Sequence, residues 1–69
     1  MNFNIEYEQE ADGRWLAEVP QLPCVLACGA SAEEAMAKAQ VLALRVLAER
    51  LEQQETRAIN ISISVPHAA

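Results

Sequence analysis

The 69 residues include two glycines, two cysteines, one histidine and only three aromatic side chains, Phe3, Tyr7 and Trp15. Each shortage excludes something. Two cysteines cannot build the disulfide framework that braces small secreted domains. One histidine and two cysteines in no zinc-knuckle spacing offer no metal site, and no cofactor is expected. Five Lys plus Arg against ten Asp plus Glu leave a net charge of −5. A negative surface repels phosphate, which disfavours direct nucleic-acid binding. No apolar run approaches the roughly 20 residues of a membrane span, and the polar, acidic start (Asn2, Asn4, Glu6, Glu8) is no signal peptide. A cytoplasmic protein with no membrane partner is therefore expected. At 7.6 kDa the chain has room for a single domain over 1–69 and none for the large enclosed pocket of a multi-step enzyme.

What the chain does have is aliphatic bulk: 52% of its residues are hydrophobic and 22% charged, a globular balance with an alanine-rich core. A monomer of this size buries only about 60% of its unfolded surface, near the stability limit, so self-association to a dimer or tetramer is expected. The charge is uneven. Residues 1–34 carry seven acids and one base, and residues 35–69 three acids and four bases. The acidic half is where a basic partner would dock.

Phe3, Ile5 and Tyr7 alternate with Asn4, Glu6 and Glu8, and Trp15, Ala17 and Val19 repeat the pattern, which reads as two strands with one buried face each. Parity selects the turn between them. A two-residue loop at Asp12-Gly13 would mix the faces, whereas a three-residue loop from Ala11 to Gly13 pairs Ala17 with Tyr7 and Val19 with Ile5, with Gly13 in the left-handed region. Pro20 and Pro23 end the second strand with an extended corner, and Cys24 to Cys28 reads as a short third strand.

Ser31-Ala32-Glu33-Glu34 is a capping box, Ser31 accepting from the first turn and Glu34 reaching back. A helix free of Gly and Pro then runs to about Gln54. Ala32, Ala35, Met36, Ala39, Ala43, Val46 and Leu47 form a stripe facing the core, and Glu34, Lys38, Arg45, Glu49 and Glu52 the solvent face. A third stripe, Ala37, Val41, Leu44, Ala48 and Leu51, lies largely opposite the core, where a two-layer domain normally puts charges. It reads as a second buried surface, with Val41, Leu44, Ala48 and Leu51 as the oligomer interface.

Ile59, Ile61, Ile63 and Val65 alternate with Asn60, Ser62 and Ser64 in a fourth strand with a β-branched core face, closed by Pro66 and followed by a frayed tail of His67-Ala68-Ala69. The expected fold class is α+β: a two-layer β-β-β-α-β arrangement, one long helix on a four-stranded, mainly antiparallel sheet of order 3-2-1-4. The open sheet face presents Asn4, Glu6, Glu8, Leu16, Glu18, Asn60, Ser62 and Ser64.

The chemistry-bearing residues have plainer readings. Cys24 and Cys28 on one strand would lie about 13 Å apart, too far to bridge, and are read as small buried thiols. Ser31 caps the helix and has no histidine beside it to make it a nucleophile. Trp15 is the largest core side chain, with its N–H reaching a carbonyl or the rim of the sheet. A nuclease of the ribonuclease H type shares this strand order and needs acids on the first strand, the helix and the fourth strand to hold two metals; the fourth strand offers only Asn60, Ser62 and Ser64. No catalytic residues are assigned and no enzyme is expected.

Asp12-Gly13, Glu18-Val19-Pro20-Gln21-Leu22-Pro23 and Gly29-Ala30-Ser31-Ala32-Glu33-Glu34-Ala35 with Ala39 downstream resemble the N-terminal domain of the HicB antitoxin family, over about residues 3–51. The order and spacing of a DG hairpin, a V-P-x-L-P corner and an S-x-E-E-A helix start carry the resemblance. It implies a partly degraded ribonuclease H-like domain that self-associates and blocks a small basic HicA-type toxin, an RNA-cleaving protein, by covering its working surface. Glu6, Glu8, Glu10, Asp12 and Glu18 are the candidate toxin contacts. The family usually has glycine after the second proline, where this chain has Cys24. Many relatives carry a C-terminal DNA-binding domain, which is not expected here because the chain stops after the fourth strand. The alternative function is a structural or regulatory oligomer with no toxin partner.

Overall fold

A computed structural model describes residues 1–54 and 58–67. Five strands and one helix follow in the order β1 (Asn2–Asn4), β2 (Glu6–Gln9), β3 (Trp15–Glu18), β4 (Leu26–Gly29), α1 (Ala32–Gln53) and β5 (Ser62–Ser64). The fold is α+β. Its strands form an antiparallel sheet ordered β2-β3-β4 and a parallel pair, β1 with β5.

The expected first strand is therefore two, because its halves pair with different partners. Tyr7 lies opposite Ala17 and Glu6 opposite Glu18, the register that a three-residue hairpin loop requires. Glu10 and Arg14 close that loop (Glu10 N–H to Arg14 O, 2.7 Å), and Gly13 takes φ 91°, where a side chain is disfavoured. Extending the register brings Pro20 opposite Asn4. Proline has no N–H to give, and the β2–β3 ladder ends before it. The Asn4 N–H turns instead to the Gln21 carboxamide oxygen at 3.4 Å, while Ile5 donates to Ser64 O at 3.0 Å on the other flank.

The corner after β3 is not extended. Leu22 N–H reaches Val19 O (2.9 Å) and Val25 N–H reaches Leu22 O (2.8 Å), making two successive β-turns that Val19 N–H to Val25 O (3.2 Å) closes into a loop. Pro20 and Pro23 each take the second position of a turn, where their fixed φ is favoured. Leu22, shared by both turns, is fully buried. These turns occupy Cys24 and Val25, so the third expected strand begins at Leu26 and runs to Gly29. Both thiols are exposed, contrary to the expectation of buried ones.

Ser31 caps α1, accepting from Glu34 N–H at 3.1 Å. The reciprocal half of the expected capping box is replaced: the Glu34 carboxylate lies 3.1 Å from Lys38 Nζ, the favourable i to i+4 pair. At the junction into the helix, a β-carbon on Gly29 would stand 2.9 Å from Ala35 N, so glycine there permits the close approach of strand end and first turn. Ala32, Ala35, Met36, Ala39, Ala43 and Leu47 are buried as the periodicity requires, with Val46 half-buried against them. They meet Phe3, Ile5, Ala17, Val19, Leu22 and Val25 in one core.

The remaining differences lie at the far edge. The fourth expected strand narrows to Ser62–Ser64, with Ile61 and Ile63 half-buried against the core while Ile59 and Val65 stay largely exposed. Trp15 is half-buried, its ring 6.0 Å from that of Tyr7. The expected frayed tail is tied down at His67, whose carbonyl accepts from the Tyr7 hydroxyl at 3.4 Å; its residues 68 and 69 lie outside the described residues.

Burial predicts that Leu22→Ala lowers stability by about 2–5 kcal/mol, measured by urea unfolding, whereas Cys24→Ala in the same loop changes it by less than about 0.5 kcal/mol.

Candidate functional site

Alternation along β2 and β3 sends the even-numbered residues to the face away from α1. Glu6 and Glu18 are direct cross-strand partners, and Glu8 faces Leu16. Glu6, Glu8, Leu16 and Glu18, with Tyr7 at the border, surround a shallow depression of about 150 Å³. The three carboxylates are exposed, and among the described residues none of them has an ion pair. Opposing two like charges on one ladder costs stability. Among the described residues no ion pair on this face offsets that cost.

Glu10 and Asp12 stand apart from this trio, at the hairpin end. Asp12 is already occupied: Arg14 N–H donates to Oδ1 at 3.1 Å and Arg14 Nε to Oδ2 at 2.9 Å. The backbone N–H of Arg14, then its guanidinium, hold the Asp12 carboxyl below its ordinary value of 3.8. Of the five candidate contacts, Glu6, Glu8 and Glu18 are brought together, Glu10 lies at the rim, and the charge of Asp12 is answered within the turn. Among the described residues no group of three His, Cys, Asp or Glu side chains is arranged to hold a metal ion.

The register also puts Leu26 opposite Glu18 and Cys28 opposite Leu16, so Leu26, 52% exposed, belongs to the same open face. Expecting Cys24 and Cys28 to be buried puts their parity, and Leu26 with it, on the core face, whereas the register turns that parity outward. Val19 bonding to Val25 turns the main-chain groups of Leu26 and Cys28 to the outer edge of the sheet, where Lys38 Nζ covers the Cys28 carbonyl at 3.4 Å. One cation thus blunts an otherwise open edge.

On the other layer the expected interface residues are uncovered. Val41 and Leu44 are 47% and 52% exposed, Ala48 is exposed and Leu51 half-buried. Leu44, Ala48 and Leu51 border an apolar groove whose far wall is Ile61 and Ile63. No helix among the described residues is long and apolar enough to cross a membrane.

No protein-family model, curated protein or solved structure matches the chain.

Two outcomes follow from the acidic face. Glu18→Gln removes one member of the opposed pair and raises stability by roughly a few tenths of a kcal/mol at low salt, a gain that shrinks as salt is added; thermal unfolding at two ionic strengths reads it. Asp12 titrates below the ordinary aspartate range, so its contribution to the hairpin is complete above that range and is lost as pH falls through the lowered value. Carboxyl-detected NMR should show that midpoint rising part-way in Arg14→Ala, which keeps the backbone donor and loses the guanidinium.

Proposed function

We propose that the chain is a non-enzymatic HicB-like antitoxin module that binds and blocks a small basic HicA-type RNA-cleaving toxin while acting as a homo-oligomer. The observation that carries this reading is the trio Glu6, Glu8 and Glu18, gathered on an open sheet face with no cationic partner among the described residues. The family words support it because each sits at a structural joint: Gly13 in the hairpin, the Pro20 and Pro23 turns, and the Ser31 cap. We read the two ladders as one mixed sheet, the order 3-2-1-4 in expected strands, since Ile5 joins β1 to β2 directly and bonds to Ser64.

Blockade on this reading needs no chemistry in the antitoxin. Unscreened carboxylates steer a cationic protein toward the sheet face, Leu16 and Leu26 add apolar contact there, and the bulk of the domain excludes RNA from the covered surface. The second reading, a structural or regulatory oligomer with no toxin partner, draws on the exposed helix flank at Val41 and Leu44.

Titrating a purified small basic HicA-type toxin into the protein at low and high salt separates the two. Affinity should fall as salt rises, and Glu6→Lys with Glu18→Lys should slow association at low salt by about tenfold or more. Absence of binding, or binding indifferent to salt, overturns the antitoxin reading.

A further inference from the structure

We propose that the outer edge of β4 receives an extended segment of the cationic protein partner as an added strand, an inference that rests on the antitoxin reading and gives that partner a docking geometry. β4 is the end strand of its sheet. Its antiparallel ladder with β3 bonds Ala27 to Ala17 and sends the N–H and C=O groups of Leu26 and Cys28 away from the sheet. Of those four groups, only the Cys28 carbonyl has a partner among the described residues, Lys38 Nζ at 3.4 Å. Main-chain groups left over at an edge are a template on which another strand pairs.

Apolar surface flanks that template on both layers. Leu26, 52% exposed, stands on the open sheet face, and Val41, 47% exposed, stands on the helix side, where Ala27, Cys28, Lys38, Val41 and Leu42 line a hollow of about 400 Å³. A strand paired with β4 sends its side chains alternately to these two sides. The residue opposite Ala27 enters the hollow, and the residues opposite Leu26 and Cys28 lie on the open face.

Charge sorts the side chains of the incoming strand and selects its owner. On the helix side stand Lys38, paired with Glu34, and, two turns further along α1, Arg45, so the side chain that enters the hollow is apolar. On the open face Glu18 lies directly opposite Leu26 and has no ion pair among the described residues. With strands about 4.8 Å apart, a lysine or arginine opposite Leu26 is two strands from Glu18; its stem crosses the leucine and its head meets the carboxylate. The occupant is therefore a strand that alternates apolar and cationic residues. A second copy does not fit that description. Its β4 is Leu26-Ala27-Cys28-Gly29, with no cation for Glu18, and two-fold pairing would bring a second Lys38 to the same seam.

Amide hydrogen exchange read by NMR tests this, in the free protein and in its complex with a purified small basic HicA-type toxin. On binding, exchange at the Leu26 and Cys28 amides should slow by about tenfold or more beyond any change at Ala27, whose N–H already faces β3. Leu26→Pro removes one outward donor and leaves the β3 ladder whole. It should bind the toxin about fivefold or more weakly than Leu26→Ala, which loses the side chain but keeps the donor, with circular dichroism confirming that both variants fold. A complex in which Leu26 and Cys28 exchange as they do in the free protein overturns strand addition and leaves the antitoxin reading standing. Absence of any binding overturns both. Slow exchange at these amides in the free protein that quickens on dilution identifies a second copy on the edge and overturns the inference as well.

Discussion

The close seating of α1 on the sheet governs the rest of the structure. Ala35, Ala39 and Ala43 are completely buried, and because a methyl group projects so little, the helix backbone lies nearer the strands than a leucine-lined helix could. The same closeness reaches the preceding loop, where Gly29 leaves no space for a β-carbon against Ala35 N. The arrangement has a geometric cost: a helix held tightly over β3 and β4 cannot also cover the sheet's other edge. The exposed flank of α1 and the half-buried Ile61 and Ile63 are two sides of that one shortfall.

The two proposed surfaces lie on opposite layers and differ in physical character. On the open sheet face, Glu6, Glu8 and Glu18 supply long-range attraction but little contact area, and attraction of that kind fades over about a Debye length of 8–10 Å at physiological salt. Along the helix flank Val41 and Leu44 leave apolar area exposed, which water solvates poorly. A steering surface and an adhesive one suit a protein that holds copies of itself with one layer and meets a cationic partner with the other.

Much of the fold is legible in the residues. The hairpin loop follows from parity together with the Asp12-Gly13 turn signal, since a two-residue loop there would have mixed the faces, and the core stripe of α1 follows from 3.6-residue periodicity in a segment free of Gly and Pro. The corner at Val19 to Val25 was less legible. Two prolines signal that the ladder stops, but whether the chain then extends or folds back depends on Leu22 finding a place in the core, and that place exists only once α1 and the sheet have met. The early placement of β4, the burial assigned to Cys24 and Cys28, and the omission of Leu26 from the open face all descend from that one joint.

By itself the sequence determined the α+β class, the core stripe of the helix, the left-handed Gly13 and most of the core residues, though not Leu22 and Val25, because each depends on neighbours a few positions away. Only the tertiary structure decided that the first strand divides at Ile5 between two partners, that Arg14 takes Asp12 out of the acidic group while Glu6 and Glu18 face each other with no ion pair among the described residues, and that α1 packs mainly on β3 and β4 and leaves Ile61 and Ile63 half-buried. Those outcomes turn on which distant segments arrive side by side, and local periodicity carries no information about that.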